Sequence, residues 1–117
     1  MYRIRIKGTE RILFSNLKVT HSFWDRFMGL MGKREVTGDG LFLKNVSSIH
    51  TCFMRFPIGV IYLDKEFRVL VREQVTPWRM GRLVRGTTHV IEVKAGDELR
   101  FPVGEILELT GEEGGLC

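Results

Sequence analysis

The 117-residue sequence predicts a mainly β fold, an antiparallel β-sandwich or barrel-like domain carrying one short α-helix. Three observations predict it. Most apolar residues fall in short segments of alternating or continuous hydrophobicity. Those segments are separated by glycine, proline and Asp-containing turns. Only one stretch, residues 21–31, repeats its apolar side chains at helical spacing.

The N-terminal segment Tyr2–Ile6 sets Tyr2, Ile4 and Ile6 against Arg3 and Arg5, the period of a strand with one buried face, and Gly8 ends it. Two further short strands are expected over Arg11–Phe14 and Leu17–Thr20. The period then changes. Phe23, Phe27 and Leu30, beside Trp24, Met28 and Met31, form the apolar stripe of a helix, with Thr20 or Ser22 to cap its start and Gly32 its end. After the Gly38-Asp39-Gly40 loop, strands are expected at Leu41–Leu43, Ile49–Met54 and Ile58–Leu63. Pro57 cannot donate a ladder hydrogen bond, so the chain bends there or lies at an edge. Asp64-Lys65-Glu66 turns into Phe67–Val75, where Phe67, Val69, Val71 and Val75 are expected on one face and Arg68, Leu70, Arg72 and Gln74 on the other. A loop with Pro77 and several glycines leads to His89–Val93, the Ala95-Gly96-Asp97 turn and a last strand at Glu105–Leu109.

At this length and with 44% hydrophobic and 27% charged residues, one domain over 1–117 with its own core is expected, without metals or disulfides to hold it. No apolar run approaches the roughly 20 residues of a membrane-spanning helix. The N-terminus alternates charge with apolar side chains and so does not read as a signal peptide. Cys52 and Cys117 make no disulfide framework, so a cytoplasmic protein with reduced thiols is expected. Arginine outnumbers lysine 12 to 6 and only Asn16, Asn45 and Gln74 carry side-chain amides, a bias met in proteins from hot environments. The net charge of +4 is polarised: residues 68–88 hold Arg68, Arg72, Arg79, Arg82 and Arg85 against Glu73, whereas 104–117 holds four glutamates and no base.

The string Ile49-His50-Thr51-Cys52-Phe53-Met54-Arg55-Phe56-Pro57-Ile58 is followed by Leu63-Asp64, then Pro77-Trp78-Arg79, then His89-Val90-Ile91-Glu92-Val93-Lys94-Ala95-Gly96. With Phe27-Met28-Gly29-Leu30-Met31-Gly32 and Gly40-Leu41-Phe42 before them, these segments resemble the domain of unknown function 192 family over about residues 20–100. The resemblance implies a compact, mainly β fold of the sandwich kind and no established activity. The chain departs from the family pattern at Gly59, where an acid is common, and at Cys52, where an aromatic residue is common.

Catalytic signatures are sparse: no glycine-rich phosphate loop and no nucleophile elbow occur. His50 and Cys52 are the candidates for a base and a nucleophile. Two residues apart on an extended strand they stand roughly 6–7 Å from one another, beyond direct contact, and a buried structural thiol competes with that reading. His21, His50 and His89 with the two cysteines lack zinc-type spacing, so no metal and no cofactor is expected. Arg55 interrupts an apolar segment, so it either lines a pocket or is held by acids such as Asp64 or Glu92. Trp78, Arg79, Arg82 and Arg85 combine an aromatic platform with cations in a glycine-bearing loop.

The expected function is that of a binding or accessory module whose ligand-binding residues are Met54, Arg55, Trp78, Arg79, Arg82 and Arg85. Its partner would be an anionic small molecule or an acidic protein surface, with no membrane. Two alternatives stand beside it: an enzyme acting on a small anionic substrate with His50 as general base, and a weak nucleic-acid binder using the Arg68–Arg85 region, which the acidic tail and modest net charge disfavour.

Overall fold

In the computed structural model the described residues are 2–20, 40–52 and 54–111. The helix expected over residues 21–31 lies outside them. The strands are β1 (Tyr2–Ile6), β2 (Ile12–Thr20), β3 (Gly40–Leu43), β4 (Ile58–Leu63), β5 (Val69–Val75), β6 (His89–Lys94) and β7 (Leu107–Gly111), with a 3-10 turn at Asp97–Arg100. They form one seven-stranded sheet in the order β5-β4-β6-β3-β2-β1-β7.

The fold is mainly β, as the hydrophobic patterning requires. Every neighbouring pair is antiparallel except β2 and β3, which run parallel with Leu17 opposite Gly40. The long intervening segment, residues 21–39, permits that arrangement, because a parallel pair needs a crossover rather than a tight turn.

The sheet curls until its two ends meet. Arg68 and Ile106 bridge β5 to β7. Val69 N–H donates to the Glu105 carbonyl and Leu107 N–H to the Phe67 carbonyl, both at 2.9 Å. Closure stops after these few residues. The 3-10 turn then fills the gap, with Phe101 fully buried and 5.3 Å from Phe14 between ring centroids. There Arg72 Nη1 donates to the carbonyls of Leu99 (2.9 Å) and Phe101 (2.8 Å), satisfying groups that a continued ladder would have paired.

Two hydrophobic clusters result. The first lies inside the curl and includes Ile4, Phe14, Leu17, Phe42, Ile61 and Ile91. The second lies on the outer face of β3, β4, β5 and β6, where Leu43, Ile58, Val60, Tyr62 and Val90 are covered by Ile49 and Met54. Strand β4 is therefore buried at all six positions, the reason it reads as a continuous apolar run rather than an alternating one.

Several local expectations are corrected. Arg11–Phe14 and Leu17–Thr20 are parts of one strand, β2. The pairing shifts from Tyr2 opposite Leu17 to Ile4 opposite Phe14, so a bulge, not a chain break, interrupts the alternation near Ser15 and Asn16. Among the described residues of 49–54 no strand forms: only His50 makes a bridge, to Met80, Cys52 lies in a turn, and Ile49, Thr51 and Met54 are irregular chain. In the β4–β5 hairpin Tyr62 opposes Val71 but Leu63 opposes Val69, which leaves Leu70 as an extra residue. A bulge of one residue reverses the face of everything beyond it. Phe67 and Val69 therefore join the inner cluster, whereas Val71 and Val75 join the outer one.

Gly40 is held where no side chain fits: its φ is 155° and a Cβ there would lie 2.4 Å from the Glu92 carbonyl oxygen. Gly8 also has positive φ, 81°, but open space around it. Gly40→Ala should therefore lower the unfolding free energy by about 3 kcal/mol or more, and Gly8→Ala by only about 1 kcal/mol. Urea denaturation of both variants checks this; equal losses would show that the close approach at Gly40 is relieved at no cost.

Candidate functional site

Among the described residues, two irregular segments, within 49–55 and 76–85, contribute to the cover of the outer core, and one threonine joins them. Thr51 is 0% exposed. Its N–H donates to the Arg79 carbonyl (2.8 Å) and its carbonyl accepts from Trp78 N–H (2.9 Å) and Met54 N–H (3.1 Å). Its hydroxyl accepts from Arg79 N–H (2.8 Å) and lies 2.6 Å from the Thr76 carbonyl, to which it donates. The pairing continues through the His50–Met80 bridge and Gly81 N–H to the Ile49 carbonyl (3.0 Å). The two segments thus run antiparallel as a ribbon.

A second latch fixes the far side of the ribbon. Glu73 Oε2 accepts from the Tyr62 hydroxyl (2.5 Å) and from Arg82 N–H (2.8 Å). Gly81 lies directly over this hydroxyl, where a Cβ would come within 2.4 Å of the Tyr62 oxygen. Burial, and after it the hydrogen bond to Glu73, pushes the Tyr62 phenol well above its ordinary pKa, so it stays a donor.

What the ribbon displays is cationic and apolar together. Arg55, Arg79, Arg82 and Arg85 are all exposed, and among the described residues none forms an ion pair. Trp78 is 61% exposed, Met80 67% and Leu83 81%. Trp78 holds φ at 62°, a region that a bulky side chain occupies only when its surroundings impose it. Where the two segments separate beyond Gly81, a hollow of about 330 Å³ is lined by Ser47, Ser48, Leu83, Val84 and Arg85.

Each sequence-derived candidate can now be placed. Arg55 is exposed and has neither of the expected acidic partners: Asp64 lies 4.0 Å from Arg68, and Glu92 is sealed in the outer layer. Met54 is 4% exposed and packs in the outer core, so it supports the face from beneath and does not border it. Trp78, Arg79 and Arg82 lie on the ribbon outside the hollow, and Arg85 alone of the candidates lines it. Arg68 and Arg72, in contrast, are tied to the carbonyls of Gly104, Leu99 and Phe101 at the sheet closure. The arginines of residues 68–88 therefore divide between structure and display and do not form one basic stripe.

His50 is exposed, and its Nδ1 accepts from the Cys52 backbone N–H at 3.3 Å. Neither residue lines the hollow. His89 is instead a core residue, T-shaped against Phe67 and accepting from Asn45 N–H through Nδ1 at 3.0 Å. Burial, and then the charge of Lys44, pushes its pKa down. Among the described residues no three His, Cys, Asp or Glu side chains cluster as a metal site, and no helix is long and apolar enough to cross a membrane.

Sequence reasoning missed Ser47 and Ser48, whose paired hydroxyl-bearing residues after Asn45-Val46 were the available signal, and it undervalued Glu92. That carboxyl belongs to β6, opposite Leu41 and Val60. It is wholly buried in the outer layer, and burial raises its pKa to about 7.

The comparisons with known proteins bear on the whole chain. The family described as uncharacterised ACR, domain of unknown function 192, matches residues 3–108. The chain belongs to that family. A UPF0127 protein of Thermococcus sibiricus is 29% identical over 114 residues, 92% of this chain and 74% of its own length. Another, from Thermococcus kodakarensis, is 32% identical over 86% of this chain and 62% of its own length. The chain thus spans roughly two thirds to three quarters of these relatives. A protein of unknown function from Novosphingobium aromaticivorans has the same fold, with a TM-score of 0.73 over 91% of this chain and 83% of its own at 19% identity. The resemblance read from the sequence motifs is thereby established, and it brings no specific activity with it.

Two outcomes follow. The folded Glu92 keeps its proton up to about pH 7, whereas in the unfolded chain it loses it near 4.5. Between those limits the native state binds the extra proton, so stability falls as pH rises, by on the order of 3 kcal/mol in all. His89 acts oppositely, withdrawing stability as pH falls below its ordinary 6.5. Glu92→Gln should gain on the parent progressively from about pH 4.5 to about pH 7 and no further above that. Urea midpoints across this range test it; a constant difference would contradict a protonated Glu92. Separately, Thr51→Val strands the Arg79 N–H and the Thr76 carbonyl and should cost about 2 kcal/mol, while Thr51→Ser should cost under about 1 kcal/mol. Equal losses in the two variants would mean that the methyl, not the hydroxyl, holds the ribbon.

Proposed function

We propose that this protein is a binding or accessory module whose ribbon receives an anionic group, from a small molecule or from an acidic protein surface. One observation supports the reading above all: the ribbon carries four exposed guanidiniums without an ion pair among the described residues, on a backbone fixed by Thr51 and Glu73. An arginine keeps its charge and its planar fork of donors at any ordinary pH, so a fixed array of them selects oxyanions. Arg85 and the residues Ser47 and Ser48, which line one hollow, add hydroxyl donors to a guanidinium there. The volume is at the low end for small-molecule sites, suited to a carboxylate or phosphate group on a compact body.

The setting we infer is cytoplasmic. The free thiol of Cys52 suits a reducing compartment.

Thermal-shift and calorimetric titrations with inorganic phosphate, citrate and a glutamate-rich peptide test the reading. At least one of them should raise the melting temperature, since a ligand at 100 times its dissociation constant adds about 2.7 kcal/mol to stability. Arg79→Ala combined with Arg85→Ala should weaken that binding by roughly tenfold or more, each lost charge-assisted contact being worth about 1.5–3 kcal/mol. If none of the three probes binds, or if binding ignores those substitutions, the anion-receptive reading fails.

A further inference from the structure

An anion alone does not explain the ribbon. Between Trp78 and Arg85 two of the three arginines have exposed apolar neighbours: Trp78 and Met80 flank Arg79, and Leu83 follows Arg82. Three large apolar side chains between 61% and 81% exposed stand on one short segment beside cations, the composition of an interaction surface. The outer core beneath takes Ile49, Met54 and Val84 from the same two segments, so the outward direction of Trp78, Met80 and Leu83 is a property of the backbone that Thr51 and Glu73 hold.

Resting on the anion-receptive reading, we propose that the occupant is an extended segment of a partner protein in which acidic residues are interleaved with apolar ones. In this arrangement the apolar side chains cover Trp78, Met80 and Leu83 while the carboxylates meet Arg79, Arg82 and Arg85. One carboxylate enters the hollow between Ser47, Ser48 and Arg85. The dimensions agree. Seven residue steps separate Trp78 from Arg85, at most about 23 Å at strand rise, the span of roughly seven extended residues of a bound peptide. Charge complementarity sets the composition, and the exposed indole supplies the anchor type that dominates such interfaces.

A nucleic acid fits less well. Single-stranded bases stack on aromatic faces, and the ribbon offers one indole beside two aliphatic side chains. The arginines that would extend a phosphate track, Arg68 and Arg72, are tied to backbone carbonyls elsewhere.

The experiment compares four probes by fluorescence anisotropy on the intact chain: a labelled peptide of about 12 residues alternating Glu with Leu and Phe, the same peptide with Ser for each apolar residue, an oligonucleotide of equal charge, and vesicles of phosphatidylserine and phosphatidylcholine. The apolar acidic peptide should bind roughly tenfold or more tightly than its serine counterpart. Met80→Ser with Leu83→Ser should erase that margin while leaving the melting temperature unchanged, because both side chains are largely exposed. Equal binding of the two peptides, still dependent on Arg79 and Arg85, would overturn this inference and leave the anion reading intact. Binding by none of the probes would remove both. Tighter binding of the oligonucleotide or the vesicles than of the apolar peptide would replace the partner class proposed.

Discussion

Burial of β4 on both faces is the constraint from which the rest of the architecture follows. A strand that is apolar at every position must be covered twice. Curling the sheet covers one face, with Ile61 and Leu63 meeting β1, β2 and β7 through the inner cluster. The other face, with Ile58, Val60 and Tyr62, is left to chain segments that are not strands. Among the described residues those segments include 49–55 and 76–85, so residues carrying the candidate site are held in place by the same hydrophobic demand that builds the core.

Covering a core with irregular chain creates a polar problem, because backbone groups taken from water must be paired. The structure meets it with few side chains. Thr51 serves both segments at once, offering its N–H, carbonyl and hydroxyl. Glu73 reaches over the hairpin to hold the Tyr62 hydroxyl and the Arg82 N–H. Glu92 has a different character. It lies in the same layer, where burial raises its pKa, so the layer favours the form that keeps its proton. The inner side has its own acid: Glu98 is buried against Gly59, and its Oε1 falls 2.2 Å from the position a Cβ would take. With Gly59 on the strand, this chain brings a carboxylate to that space from the 3-10 turn.

How much of this was legible in the sequence depends on range. Strands β1, β3, β4 and β6 show in the pattern because burial acts on each residue locally. The errors arose where pairing intervened. The bulge at Leu70 depends on how β5 meets β4, and the strand expected at Ile49–Met54 failed because those apolar residues cover a sheet without joining it. A covering segment and a buried strand look alike in composition. The site was half legible: its cations and indole could be named from one loop, but not that Thr51 would lock them to the segment bearing Arg55. The hollow was illegible, because Ser47 and Arg85 meet only through the fold.

The energetic consequence concerns what binding must still supply. Ordering a loop on association costs roughly 0.5–1.5 kcal/mol for each immobilised side chain, besides the backbone. Here much of the backbone term is met before any ligand arrives, since segments 49–55 and 76–85 are already pinned by core packing and by hydrogen bonds at Thr51 and Glu73. The arginine side chains retain rotamer freedom, so they can adapt while their origins stay fixed. Trp78 holds a positive φ, a conformation that its surroundings must impose. In that conformation Trp78 N–H reaches the Thr51 carbonyl at 2.9 Å while the side chain stays 61% exposed, so the hydrogen bond that joins the two segments also sets where the indole sits.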